Sequence, residues 1–131
     1  MTGVQTCALP IEVSKLVVNG GYGLRDHGVV SGLHVAAAVL EYCGVNHYEI
    51  LVNEGSKVAA GKAVISLQGN TQKILLAERT ALNFLSHLSG ISTLTSKWVT
   101  EIAGTRCQIR DTRKTIPGVI VTGKQIGRAH V

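Results

Sequence analysis

Lys73-Ile74-Leu75-Leu76-Ala77-Glu78-Arg79-Thr80-Ala81-Leu82-Asn83-Phe84-Leu85-Ser86-His87-Leu88 (residues 73–88) is the clearest helix of the chain. Ala77, Ala81, Phe84/Leu85 and Leu88 recur at three- and four-residue spacing, which makes one apolar stripe along an α-helix. Arg79, Asn83, Ser86 and Gly90 repeat at the same spacing on another face, a polar stripe with a single cation. Gly90 predicts the end of that helix. A second amphipathic helix is expected over Ser92 to Ile102, with Leu94, Trp98 and Ile102 at i, i+4 and i+8, and Gly104 closing it. Arg106 to Thr112 then reads as a strand, with Cys107, Ile109 and Asp111 on one side.

Towards the N-terminus, β-branched and aliphatic residues from Glu12 to Val18 predict a strand, and Asn19-Gly20-Gly21 predicts the turn after it. Gly28-Val29-Val30 reads as a short second strand. Leu33 to Tyr42 reads as a helix with Val35, Val39 and Tyr42 on one face. His47 to Val52 alternates, so Tyr48, Ile50 and Val52 share a strand face. Glu54 to Ile65 carries glycines six apart around a valine, the pattern of short β-hairpins. That segment resembles half of a biotinyl or lipoyl carrier domain. Such domains present a lysine between fixed neighbours in a tight hairpin, and neither Lys57 nor Lys62 has those neighbours.

Asp111-Thr112-Arg113-Lys114-Thr115-Ile116-Pro117-Gly118 sets two cations side by side where a strand ends. Adjacent strand residues point to opposite faces, so both reach one ligand only where the strand stops or bends. Pro117-Gly118 supplies that stop. In parallel α/β barrels, ligands sit at the C-terminal strand ends. A guanidinium grips a carboxylate with two parallel hydrogen bonds, and an ammonium serves as a point charge for phosphate. Arg79 alone reads as a solvated helix arginine paired with Glu78 or another neighbour.

Composition narrows the classes. The 131 residues are 45% apolar, enough for one modest core and part of a second domain. No run approaches the ~18 apolar residues of a membrane helix, and no signal peptide is recognisable, so a cytoplasmic protein without a membrane partner is expected. Cys7, Cys43 and Cys107 are odd in number and widely spaced, and read as free packing thiols. The histidines His27, His34, His47 and His87 show no metal-binding spacing and read as surface or half-buried residues; no metal ligands are assigned. The net charge is +5, yet only five aromatics are present, and Arg106, Arg110, Arg113 and Lys114 form the one basic cluster. A small anionic ligand accounts for this better than nucleic acid does.

Three motifs carry a resemblance. Glu78 to Leu85 (ERTALNFL), Leu88 to Thr95 (LSGISTLT) and Asp111 to Gly118 (DTRKTIPG) closely resemble quinolinate phosphoribosyltransferases, in the family's order and spacing. The resemblance covers about residues 26–118. It implies an α+β fold, with an N-terminal open α/β sandwich domain over residues 12–104 and the first strand of a truncated parallel α/β barrel within residues 105–118. It also implies the conversion of quinolinate and phosphoribosyl pyrophosphate to nicotinate mononucleotide, carbon dioxide and pyrophosphate, with Mg²⁺, in NAD biosynthesis. Arg79 matches the arginine that the sandwich domain inserts into the active site of the neighbouring subunit, which implies a homodimer. Arg113 matches a carboxylate clamp, Lys114 a lysine near the carboxylates and the phosphoribosyl donor, and Thr112 a residue lining the same pocket.

The family pattern continues past Pro117-Gly118 to a His-Arg pair, a further lysine and acidic residues, and it carries a Gly-Asp-x-Thr segment near the N-terminus; this sequence shows neither. The expectation is therefore a catalytically incompetent fragment. Residues 1–11 and 119–131 continue no neighbouring pattern and resemble translated sequencing-adapter tails, with frayed native termini as the alternative. Two other readings stand beside the main one. A paralogue of the same fold, associated with molybdenum transport, shares the Glu-Arg-Thr and Ser-Gly-Ile motifs, although Asp111 and Thr115 favour the quinolinate enzyme. The other is a carrier module resting on Glu54 to Ile65.

Overall fold

A computed structural model describes residues 4–6 and 17–110. Its elements are β1 (Val4–Thr6), β2 (Val17–Leu24), β3 (Gly28–Val29), α1 (Leu33–Tyr42), β4 (His47–Ile50), β5 (Lys57–Val58), β6 (Ala63–Asn70) and α2 (Thr71–Glu101). Four strands form one antiparallel sheet in the order β1-β2-β6-β4, and β3 pairs with β5 in a small separate ladder. Tyr22, Leu24, Ile65 and Leu67 of the large sheet pack with Leu33, Ala36 and Leu40 of α1 and with Ile74, Ala77, Ala81 and Leu85 of α2. The alternate sheet positions Asn19, His47, Glu49 and Gln68 are exposed. One covered face and one open face make an open α/β sandwich, as the resemblance implies.

Several expectations change. Asn19-Gly20-Gly21 is not a turn but the middle of β2, paired with Gln68, Leu67 and Ser66. A strand held between two neighbours overrides the turn preference of its residues. Residues 12–16 of the expected strand lie outside the described residues. Val4–Thr6, in a segment set aside on sequence grounds, pairs with Tyr22–Leu24. Glu54 to Ile65 is no self-contained hairpin, because β5 pairs with β3 while β6 pairs with β2 and β4.

Helix α1 spans the expected residues but buries the opposite face. Leu33, Ala36, Ala37 and Leu40 face inward, whereas Val35 and Val39 are half-buried and Tyr42 is 94% exposed. The alanine side lets α1 lie close against α2, which a valine ridge would prevent.

The two expected C-terminal helices are one. Helix α2 runs from Thr71 to Glu101 through Gly90, because Leu85, Leu88, Ser89 and Ser92 continue a single buried face across the glycine. A mid-helix glycine costs about 1 kcal/mol, which packing on both sides outweighs. Asn70 starts the helix, its side-chain oxygen accepting from Gln72 N at 2.9 Å and Lys73 N at 3.4 Å. Gly104 follows the end with φ +85°. Beyond it, residues 106–110 form no strand, since no described segment offers them a ladder partner. Cys43 packs against the core as expected, but Cys107 is exposed, and Cys7 lies outside the described residues. His27, His34, His47 and His87 are all exposed.

Tyr22 is fully buried, and its hydroxyl has no partner among the described residues. Burial, helped by the charges of Glu78 and Cys43, pushes its pKa from 10.0 up to about 12. In the unfolded chain the phenol ionises at its ordinary value. As pH rises from 10.0 towards 12, the folded state keeps a proton that the unfolded state has lost, so stability falls. Chemical denaturation at about pH 9 and about pH 11 tests this. The loss over that interval is expected to be smaller in Tyr22→Phe than in the parent, and equal losses refute the assignment.

Candidate functional site

The motif residues of α2 divide by face. One side holds the fold together and the other carries Arg79. On the inner side, Gly28 and Gly32 bring the backbone of residues 28–32 directly against the helix. A Cβ on Gly28 would sit 2.8 Å from Thr93 Oγ1, and one on Gly32 2.7 Å from Leu88 Cδ1. Gly32 also needs its φ of +91° to turn from β3 into α1.

That close approach lets hydroxyls on the helix act as a neighbouring strand would. Thr93 Oγ1 accepts from Val29 N at 2.9 Å and donates to Val29 O at 3.4 Å. Ser89 Oγ accepts from Ser31 N at 3.0 Å and donates to Ser31 O at 3.2 Å. The spacing suits both partners: two strand residues rise about 6.6 Å and four helical residues about 6.0 Å. On the other side, Val30 N donates to Ser56 O at 3.0 Å, and Gly55 N donates to Val30 O at 2.9 Å.

Glu54 completes the arrangement. Helix α1 has no side-chain cap of its own, and the Glu54 carboxylate takes that role from another loop. Its Oε1 accepts from Gly32 N and Ser31 Oγ, each at 2.6 Å, and its Oε2 accepts from Leu33 N at 2.9 Å. An anion at a helix N-terminus also interacts favourably with the helix dipole. Five consecutive amides, from Val29 to Leu33, therefore find acceptors: α2 supplies those of Val29 and Ser31, and residues 54–56 supply those of Val30, Gly32 and Leu33. Neither Glu54 nor the pairing of Ser89 and Thr93 emerges from the sequence analysis. The available signal was the match between Gly28-x3-Gly32 and Ser89-x3-Thr93.

Arg79 lies on the outer side of α2 and is exposed, as is Asn83, while Ser86 and Gly90 are half-buried. The polar stripe is thus present, and it has apolar company. Leu76, Ile91, Leu94 and Trp98 are 70%, 45%, 56% and 57% exposed on the same helix. Leu94 and Trp98, expected on the apolar stripe of a second amphipathic helix, point outward because α2 continues through Gly90 without re-aiming its second half. The other three sequence-predicted site residues, Thr112, Arg113 and Lys114, lie outside the described residues. Among the described residues no three His, Cys, Asp or Glu side chains converge on a metal position, so they offer no ligand set for Mg²⁺. No described helix is long and apolar enough to cross a membrane.

A four-stranded antiparallel sheet with two helices on one face, and a cation on the outer side of a long helix, define a small α/β sandwich module. Comparison with known proteins places it further. Residues 11–89 match the model of the quinolinate phosphoribosyl transferase N-terminal domain, and the chain belongs to that family. It is 43% identical over 106 residues to the carboxylating nicotinate-nucleotide pyrophosphorylase of Mycobacterium leprae, covering 79% of this chain and 37% of that protein. It is 34% identical over 124 residues to the chloroplastic enzyme of Arabidopsis thaliana, covering 94% and 35%. Among solved structures, the nicotinate-nucleotide pyrophosphorylase of Francisella tularensis matches with a TM-score of 0.83 at 33% identity, over 90% of this chain and 42% of that one. NadC from Streptococcus pyogenes matches with a TM-score of 0.82 at 28% identity, over 91% and 43%. The chain thus spans about a third of the length of the curated relatives it matches.

Ser89→Ala leaves the buried Ser31 N–H without an acceptor, and Glu54→Gln removes an acceptor from the start of α1. Each is expected to lower stability by about 2 kcal/mol in urea denaturation. Because both act on one segment, the double variant should lose less than the sum. Simple additivity would show two unconnected sites.

Proposed function

We propose that this chain serves as the N-terminal part of a carboxylating nicotinate-nucleotide pyrophosphorylase, acting on quinolinate and phosphoribosyl pyrophosphate to give nicotinate mononucleotide, carbon dioxide and pyrophosphate. The observation that carries the reading is Arg79, a cation exposed on a helix that is anchored to residues 28–32 through Leu88, Ser89 and Thr93. An anchored helix holds its arginine in a fixed direction, which a charge serving a shared anionic site requires.

In this reading residues 12–104 form the sandwich domain and residues 105–118 begin a barrel. Arg79 enters the active site of the neighbouring subunit of a homodimer. The exposed Leu76, Ile91, Leu94 and Trp98 become buried when α2 docks there. Arg113 clamps a quinolinate carboxylate, Thr112 lines the pocket, and Lys114 lies between the carboxylates and the phosphoribosyl donor as the catalytic cation. The ring nitrogen forms a bond to the ribose C1′ as pyrophosphate leaves. Loss of carbon dioxide then leaves an electron pair on the ring carbon, which takes up a proton. Fixed cations favour each of these charge movements. Mg²⁺ supplies charge neutralisation on the phosphates when it is bound. A cytoplasmic location suits this chemistry.

A chimera tests the reading. Residues 17–118 replace the matching segment of the Mycobacterium leprae relative, and nicotinate mononucleotide formation is measured. The chimera is expected to turn over, and Arg79→Ala within it to lower kcat/KM by about 10² or more while circular dichroism stays unchanged. A folded chimera with full activity after Arg79→Ala contradicts the role.

A further inference from the structure

A second cationic site lies away from Arg79. Helix α2 and the β3–β5 ladder enclose a groove of about 400 Å³, the size of a small-molecule pocket. Lys57 of β5, Lys97 of α2 and His27 of the loop before β3 all line it. Thr93, Ser96 and Thr100 add three hydroxyls from a single side of the helix. Among the described residues no carboxylate lines the groove, and Lys57 and Lys97 have no acidic partner. Two unpaired ammonium groups brought to one concavity by separate elements repel each other until an anion lies between them.

The hydroxyls differ in availability. Thr93 is committed to Val29, and Thr100 Oγ1 donates to Ser96 O at 2.9 Å. Ser96 Oγ has no partner among the described residues, so it is free to donate to a ligand. The floor includes Val29 and Val58, which are 3% and 4% exposed and give the groove a rigid apolar base. Ammonium groups and single hydroxyls suit the tetrahedral oxygens of a phosphate. A planar carboxylate is better matched by the fork of an arginine, and none of the described residues lining this groove is one.

We propose that this groove binds a small phosphate-bearing ligand, with Lys57 and Lys97 neutralising its charge and Ser96 donating a hydrogen bond. The site is separate from the function proposed above. Lys97 follows Arg79 by eighteen residues, about 27 Å along the helix.

The full 131-residue chain can be labelled with ¹⁵N and titrated with inorganic phosphate at constant ionic strength, with glycerol 3-phosphate and malonate in parallel. Saturable shifts are expected at the amides of Gly28, Val58 and Lys97 with both phosphate ligands, and weaker ones with malonate. The Lys57→Gln/Lys97→Gln pair should weaken phosphate binding by roughly tenfold, and Ser96→Ala by less, while Arg79→Ala leaves it unchanged. All of these side chains are exposed or half-buried, and far-UV circular dichroism checks that the variants fold. The proposal is overturned by any of three results: shifts that fail to saturate, phosphate affinity unchanged in the double lysine variant, or malonate bound as tightly as phosphate. Shifts centred on Arg79 overturn it as well.

Discussion

The fold depends on how five amides in a row, Val29 to Leu33, are satisfied inside the protein. A backbone segment buried without partners costs about 1–3 kcal/mol for each orphaned group. Here the segment lies between a helix and a loop, where a sheet cannot supply all of its bonds. Two helix hydroxyls, a backbone carbonyl and one carboxylate do so instead. Since Ser89 and Thr93 must meet Ser31 and Val29 at the same time, α2 can neither roll nor slide by a residue without orphaning them. Leu88 against Gly32 fixes the same register by contact.

That constraint links the fold to the outer face of the helix. Once the inner side of α2 is set, the directions of Leu76, Arg79, Asn83, Leu94 and Trp98 follow from helix geometry. The Leu88–Thr93 motif thus anchors the helix against residues 28–32, and the Glu78–Leu85 motif buries Ala81 and Leu85 while it presents Arg79.

Much of the fold was legible in the sequence where local pattern and tertiary demand agree. The bounds of α1, a strand starting at His47 (expected to Val52, ending at Ile50) and the apolar stripe Ala77, Ala81, Leu85 and Leu88 all follow from period alone. Local signals mislead where a distant partner overrides them. Asn19-Gly20-Gly21 carries turn residues, yet β6 holds it extended. Gly90 looks like a stop, yet buried residues on both sides carry the helix through. In α1 the valines give the stronger hydrophobic signal, but close approach to α2 selects the alanines. Of the candidate site, Arg79 was legible as the cation of a polar stripe. Glu54 was not, because its partners lie 21 to 23 residues away in sequence.

The central claim is that residues 29–33 are locked from both sides, and that this lock fixes α2. Native-state hydrogen exchange of the individual amides measures it most directly. The account predicts that Val29, Ser31, Gly32 and Leu33 exchange as slowly as the amides of Ile65 and Leu67 in the central strand, through the same global opening. Exchange as fast as at the exposed residues Arg106, Gln108 and Arg110 would contradict it.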